Sequence, residues 1–338
     1  MNRYWTLVAA PPDRLPEVGD FVLREAPIPE PGPGHALTRT LYISLDPYQW
    51  GYRRRGAEKP GEVAHARTVS QVVESRIDGF AAGDFVFHTG GWSEYALMGD
   101  GVARPAYMVP RRLDPAQGRI SLAVGVLGML GLTAWAGMTL MATPRAGETV
   151  VVSAASGGVG QIAGQLARIA GARVVGIAGG PEKCRAVVED FGFDACIDYK
   201  NDDLPAALKQ HCPDRVNVYF DNVGGPILDA VLGRLAMNAR VVLCGVISSY
   251  LSGDHPGPAN YVNLLAKTAT MQGFNALDQW GRFGEASAAL RQWEHEGRIS
   301  HRETIFEGIE SCVDALNGLF TGANIGKMLV KLSEPTSA

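Results

Sequence analysis

The chain has 338 residues, enough for two domains with separate cores. Its formal net charge is −4 and its pI about 6.0. That balance argues against a nucleic-acid binder and against a protein drawn to an anionic membrane. The five cysteines, at 184, 196, 212, 244 and 312, are odd in number and widely spaced. Free thiols in a reducing, cytoplasmic setting are therefore expected. No Cys-x-x-Cys and no close Cys/His cluster occurs, and His65 and His88 fall at no ligand spacing, so no metal is expected.

Taken in order, the chain opens Met1-Asn-Arg-Tyr-Trp-Thr, with no long apolar core and no cleavage signature. Pro27 to Gly34 reads as a rigid loop. His35 to Ser44 alternates like a strand, as does Val69 to Ser75, and Phe80 to Phe87 supplies a turn and another strand. Arg53-Arg54-Arg55 is a short, isolated basic cluster and reads as a solvated loop. Ile120 to Pro144 carries no charge and is long enough to span a bilayer. Gly125, Gly128 and Gly131 interrupt it, and Leu132 begins a second helical stretch. Two buried helices meeting at a Gly-rich bend are the expectation.

From about residue 147, apolar runs at 149–153, 173–178, 194–198, 216–221, 240–246 and 269–274 alternate with helical stretches. That alternation describes a doubly wound parallel sheet. Strand character returns at Lys327-Met-Leu-Val-Lys-Leu. A β-rich domain, residues 1–122 with 301–338, thus brackets an inserted nucleotide-binding domain, residues 123–300.

The most informative stretch is Val150-Val-Val-Ser-Ala-Ala-Ser-Gly-Gly-Val-Gly160, followed by an apolar-periodic helix and the strand Arg173 to Ala178. Strand, Gly-rich turn, helix and strand give a glycine motif its meaning. A pyrophosphate can sit on backbone amides at such a helix N-terminus. The pattern G-x-G-x-x-G maps to Ala155, Ser156, Gly157, Gly158, Val159 and Gly160. Ala155 stands where the first glycine would be, so the turn there should differ. An NAD-selective site carries an acid at the end of the second strand, to bind the ribose 2′-hydroxyl. Here that place reads Ala178-Gly179-Gly180-Pro181, followed by Glu182, Lys183 and Arg185. Small residues followed by cations suit a 2′-phosphate. NADP(H) is the expected cofactor, with Lys183 as first phosphate partner and Arg185 as second.

Six motifs in order carry a resemblance: Ser44-Leu-Asp-Pro-Tyr48, Gly125-Val-Leu-Gly-Met129-Leu-Gly-Leu-Thr133-Ala-Trp135, Ala154 to Gly160, Phe220-Asp-Asn-Val-Gly-Gly225, Cys244-Gly-Val-Ile-Ser-Ser-Tyr250 and Asn324-Ile-Gly-Lys327. Over nearly its whole length the chain resembles the medium-chain dehydrogenase/reductase superfamily. Within it, the chain resembles the zinc-independent group of prostaglandin, curcumin and plant double-bond reductases. The resemblance implies an α/β fold with a GroES-like β-barrel catalytic domain and an inserted Rossmann sheet, a homodimer, and NADPH in the cleft between domains. It implies that Ala155, Ser156, Gly157, Gly158, Val159 and Gly160 hold the pyrophosphate. Gly179, Lys183 and Tyr199 would meet the 2′-phosphate side, and Asn222 and Val223 the ribose. Cys244, Gly245, Val246, Tyr250 and Phe274 would lie by the nicotinamide. Asn324 would reach the cofactor from the returning segment, and Met129 and Thr133 from the helix after the Gly-rich bend.

Two departures concern the substrate. The loop from Gly51 to His65 is unusually charged, and the stretch Leu251 to Pro258 is the chain's own. The implied reaction is NADPH-dependent reduction of a C=C bond conjugated to a carbonyl of a small-molecule enone or enal. Hydride goes to the β carbon, and a neutral donor must stabilise charge on the carbonyl oxygen. A tyrosine hydroxyl serves, because its ordinary pKa is near 10. Tyr250 is the first candidate, with Tyr48 and Tyr261 as competitors and Trp50 and Trp92 as apolar walls. A zinc-free quinone reductase and a non-catalytic NADPH-binding protein of the same fold are the alternatives.

Overall fold

The computed structural model describes residues 1–11, 14–102, 109–251 and 257–336. The chain divides into two compact units. One comprises Met1–Gly125, Thr304–Ala323 and Met328–Ala338, the other Val126–Glu303 and Asn324–Lys327. The short piece 324–327 groups with the second unit, although sequence reasoning assigned it to the β domain. The Gly326 amide donates to the Ser156 carbonyl at 2.6 Å, and Gly326 pairs with Gly157 in a parallel bridge.

In the first unit, β1 (Asn2–Leu7) and β2 (Phe21–Ala26) form an antiparallel pair. β3 (His35–Ser44) leads to α1 (Tyr48–Arg54). β4 (Thr68–Ser75), β5 (Phe85–His88), β6 (Tyr95–Gly99) and β7 (Arg111–Leu113) follow. The basic cluster is not the solvated loop expected. Arg53 lies on α1 and is only 2% exposed. Its guanidinium sits 4.8 Å from the Trp92 ring centroid and 5.5 Å from that of Phe21. Its Nε donates to both oxygens of buried Glu58 at 3.1 Å, and its NH2 donates to the His65 carbonyl at 3.0 Å. A buried charge is tolerated when paired in this way. Trp50 and Trp92 are completely enclosed beside Phe21. They are core residues of this unit, not the apolar walls of a substrate site expected from the sequence.

The second unit begins with α2 (Met129–Trp135), which runs directly into a π-helical segment, Ala136–Ala142. The uncharged stretch is thus a short 3-10 turn at Ile120–Val124 and one continuous, unevenly wound helix that starts after Gly128 and contains Gly131. There follow β8 (Thr149–Ser153), α3 (Gly160–Ile169), β9 (Arg173–Ala178), α4 (Pro181–Glu189) and β10 (Ala195–Asp198). Next come α5 (Leu204–His211), β11 (Val216–Asp221), α6 (Gly225–Leu232) and β12 (Leu235–Leu243). α7 (Val262–Ala266), β13 (Thr270–Gly273) and α8 (Phe283–His295) complete it. The six strands are parallel in the order β10-β9-β8-β11-β12-β13. Chain order therefore reverses between β8 and β11, and ligands bind at the carboxyl ends of such strands. Val150, Val151 and Val152 of β8 are wholly buried. Each contributes about 1.5–3 kcal/mol, which explains the unbroken β-branched run of a central parallel strand.

The chain returns to the first unit's sheet with β14 (Glu303–Glu307), α9 (Cys312–Thr321) and β15 (Lys327–Lys331). That sheet runs β14-β15-β3-β4-β5-β7, with β6 on β3. Its named pairings are antiparallel.

Candidate functional site

At the carboxyl end of β8 the chain turns through Ala154 to Val159 into α3. Ala154 adopts φ +47°, and its carbonyl accepts from the Gly157 amide at 2.9 Å. A Cβ at Gly160 would lie 2.2 Å from that same carbonyl oxygen. Only glycine allows the helix to start so close to the strand end. The oddity at Ala155 has a physical explanation. Ala155 is fully buried and its amide donates to the Ile177 carbonyl of β9 at 3.1 Å. Its methyl faces Gly176, where a Cβ would come within 2.9 Å of it and 2.7 Å of Val187 Cγ1. The glycine that the turn lacks stands instead on the neighbouring strand.

The end of β11 is organised by a buried carboxylate. Asp221 accepts from the Tyr219 hydroxyl at 2.7 Å, the Ser153 hydroxyl at 3.0 Å and the amides of Val223 and Gly224 at 3.0 Å each. The Tyr219 hydroxyl is held well above its ordinary pKa, first by burial and then by this carboxylate. Asn222 is locked to β8: its amide donates to Ser153 Oγ at 2.9 Å and its Nδ2 to the Ser153 carbonyl at 2.7 Å. Both strand ends flanking the reversal are thus tied together.

β12 feeds the same point. The amides of Cys244 and Gly245 donate to the Asp221 carbonyl at 2.8 and 3.1 Å, and the Ser248 amide donates to the Val223 carbonyl at 3.1 Å. Burial, and then Asp221, push the Cys244 thiol up to about 12, so it stays neutral and is no nucleophile at physiological pH. Tyr250 follows a 3-10 turn, Ile247–Ser249. Its hydroxyl lies 3.7 Å from where a Cβ of Gly245 would be. Asn222, Cys244, Gly245, Val246 and Tyr250 are therefore brought together at the strand ends.

The end of β9 forms a separate corner. The Gly180 amide donates to Asp198 Oδ1 at 2.7 Å, joining the loop before α4 to the end of β10. A Cβ at Gly179 would meet Tyr199 Cε1 at 2.9 Å and Lys200 Cε at 3.0 Å. Burial holds the Lys183 ammonium below its ordinary pKa, the Lys200 cation lowers it further, and Glu182 opposes both. Lys183 and Lys200 act on each other beside a Gly-Gly loop, β9 itself ends without an acid, and the Asp198 carboxylate at the end of β10 is taken up by the Gly180 and Lys200 amides, which leaves a cationic seat for a phosphate. Lys200 is the residue that sequence reasoning missed. Its signal was its place directly after Tyr199. Arg185 is exposed. It stands two residues beyond Lys183 on α4, about 200° around the helix, and so faces elsewhere.

Other candidates are placed as follows. Met129 and Thr133 are one turn apart on α2, and the Thr133 hydroxyl donates to the Met129 carbonyl at 2.7 Å. Leu130, between them, abuts Gly158 of the turn. Asn324 Nδ2 donates to the Gly326 carbonyl at 2.8 Å, bracing the segment that pairs with Gly157. Phe274 follows β13 and packs with Phe220 against Gly137 of the π-helical segment. Tyr261 is 59% exposed beside α6, where its neighbour Asn260 donates to the Asp229 carbonyl at 3.0 Å. Tyr48 belongs to the first unit, with its ring under the Arg67 guanidinium at 5.8 Å. Most of the Leu251–Pro258 stretch lies outside the described residues. Among the described residues no group of three or more His, Cys, Asp or Glu could hold a metal. No described helix is long and apolar enough to cross a membrane.

Two family descriptions match this chain: an N-terminal domain of oxidoreductases over residues 3–104, and a zinc-binding dehydrogenase domain over residues 158–292. The NADPH-dependent curcumin reductase of Escherichia coli is 38% identical over 347 aligned residues, covering 98% of this chain and 97% of its own. The chain belongs to the medium-chain dehydrogenase/reductase superfamily. It falls among that family's NADP-dependent oxidoreductases: the 2-alkenal reductase of Nicotiana tabacum is 37% identical over 90% of this chain and 89% of its own. The crystal structure of CurA with NADPH from Vibrio vulnificus superposes with a TM-score of 0.86 at 38% identity, covering 98% of this chain and all of that one. The fold is accordingly a GroES-like N-terminal domain with a Rossmann-type parallel sheet. The residues present fit the family's cofactor. The glycine turn stands at the N-terminus of α3, and the Lys183–Lys200 corner supplies charge opposite to a 2′-phosphate.

Proposed function

We propose that this protein reduces the carbon–carbon double bond of α,β-unsaturated ketones and aldehydes with NADPH. Gly157 to Gly160 would hold the pyrophosphate, Lys183, Lys200 and Tyr199 the 2′-phosphate, and Asn222 the ribose. NADPH, when bound, supplies a hydride to the β carbon of the substrate. The observation that carries the reading is the Tyr250 hydroxyl above Gly245, at the carboxyl end of β12. A phenol is neutral at physiological pH, and it donates to the carbonyl oxygen as negative charge collects there. The same hydroxyl would return a proton to the α carbon or orient the water that does. Tyr48 is the competing donor, from the first unit.

The protein acts as a cytoplasmic homodimer in this reading. β13 is the last strand of the parallel sheet, and all four of its residues are exposed. Met271 on this strand, and Tyr261, Val262 and Leu265 in the turn and helix that precede it, are exposed. An edge strand with apolar side chains nearby is a surface that a second copy covers by extending the sheet.

The deciding assay follows NADPH oxidation with an enone, a quinone and a saturated ketone, and identifies the products. Saturation of the enone C=C with the carbonyl retained supports the reading. Turnover of the ketone alone, or of the quinone alone, overturns it.

A further inference from the structure

Two of the three half-exposed cysteines, Cys184 and Cys196, are neighbours. Cys184 stands in the first turn of α4 and Cys196 on β10, the edge strand of the parallel sheet. Cys196 Sγ donates to Cys184 Sγ at 3.1 Å, about 1 Å beyond the ~2.05 Å of a disulfide. The other three thiols are different. Cys212 and Cys312 are buried. Burial pushes Cys212 up to about 11, Cys244 up to about 12 and Cys312 higher still. At Cys184 the shift is opposite: the Cys196 hydrogen bond holds its thiol below the ordinary value against burial and the Asp198 and Asp202 carboxylates. The positive end of α4 favours the same thiolate. Cys196, as donor, is pushed up correspondingly.

We propose that Cys184 and Cys196 are a dithiol oxidised by hydroperoxides to an intramolecular disulfide, at the corner formed by Gly180, Lys183 and Lys200. The Cys184 thiolate attacks one peroxide oxygen, an S–O bond forms, the O–O bond breaks and hydroxide leaves. The Cys196 sulfur then attacks the Cys184 sulfenic acid, the S–S bond forms and the hydroxyl departs as water. In sum two thiols and one hydrogen peroxide give one disulfide and two waters. Two electrons pass from sulfur to oxygen. The bridge ties α4 to β10, already joined by the Gly180–Asp198 hydrogen bond. A phosphate dianion on Lys183 and Lys200 disfavours the neighbouring thiolate, so NADPH slows the oxidation where NADH does not. This last coupling, unlike the disulfide itself, rests on the 2′-phosphate reading above.

The test treats the full chain with hydrogen peroxide and maps it by non-reducing peptide mass spectrometry. The expected result is one Cys184–Cys196 cross-link, two hydrogens lighter, reversed by dithiothreitol, with the thiol count of the denatured protein falling from five to three. Cys196→Ser is expected to lose the cross-link and leave a Cys184 sulfenic acid that dimedone traps, and Cys184→Ser to leave Cys196 unreacted. No 184–196 cross-link, or loss spread evenly over all five thiols, overturns the proposal. Saturating NADPH is expected to slow cross-linking by a factor of about 2 to 10 relative to NADH. Equal rates with both nucleotides overturn the coupling alone. The 2′-phosphate reading has its own readout, the nucleotide preference of Lys183→Ala.

Discussion

The pairing of Ala155 with Gly176 makes a prediction that local turn chemistry would not. A methyl added at Gly176 meets Ala155 Cβ at 2.9 Å and Val187 Cγ1 at 2.7 Å, inside a core where neither neighbour has room. Overpacking of this kind costs about 1–3 kcal/mol. Ala155→Gly removes one fully buried methyl, about 0.8 kcal/mol, and frees the unfolded backbone by another 0.4–1 kcal/mol. Made together, the exchange restores the empty space between turn and strand, leaving only the Val187 contact to be relieved. The double variant is therefore expected to be more stable than the sum of the singles by about 1 kcal/mol or more. For a unit of this size each kcal/mol moves the melting temperature about 2–4 °C. Gly176→Ala should thus melt roughly 2–12 °C lower, and the double variant should recover several degrees. Thermal and urea unfolding of the four proteins checks this. Additivity within about 0.5 kcal/mol would refute the reasoning, because residues in this contact must couple.

Tyr250→Phe is expected to lower kcat on an enone by about 10²–10³, the effect of losing one preorganised donor, with NADPH affinity unchanged; an equal loss in Tyr48→Phe alone would move the role to the other unit. Lys183→Ala and Lys200→Ala should each weaken NADPH binding roughly 10- to 150-fold, as for a lost charged hydrogen bond, and leave NADH binding unaltered in titration calorimetry. Burial holds the His88 imidazole down at about 4, against 6.5 when exposed, with Nε2 at 3.0 Å from Thr38 Oγ1 and 3.2 Å from Ser70 Oγ. The folded protein then resists a proton that the unfolded chain accepts. The stability His88 supports is complete above pH 6.5 and shrinks by about 3 kcal/mol as pH falls to 4. His88→Asn should flatten that slope in denaturant titrations between pH 4 and 6.5; parallel slopes would show that the proton goes elsewhere.

What was legible in the chain was written in contiguous residues. The strand at 149–153, the turn at 154–160 and the helix after it are one covalent neighbourhood, and the absence of an acid at 178–181 is a local fact. The alternation of strands and helices gave the parallel sheet for the same reason. The harder features depend on residues that meet only in three dimensions. Arg53 reads as solvent-facing until Trp92, Phe21 and Glu58 enclose it. Trp50 and Trp92 read as candidate pocket walls because bulk and polarity say nothing about which neighbours fill the space around them. Asp221 sits in a recognised motif, but its role depends on Ser153, 68 positions away in the chain.

The same distinction explains why the phosphate corner was half legible. Lys183 follows the glycines in sequence, and its place at the start of a helix can be read directly. Lys200 reaches the loop only because β10 pairs with β9 in the register Asp198↔Ala178. That register sets the residues after both strands side by side: Gly179 and Gly180 on one, Tyr199 and Lys200 on the other. It also puts Cys196 two residues before the strand end, within reach of Cys184 on the helix that starts at Pro181. One strand pairing therefore builds both the cation pair and the dithiol. A shift of β10 by a single residue would turn Cys196 to the other face of the sheet and carry Lys200 away from Gly179. The pair of cations proposed to select the cofactor and the thiol pair beside it depend on the same backbone register.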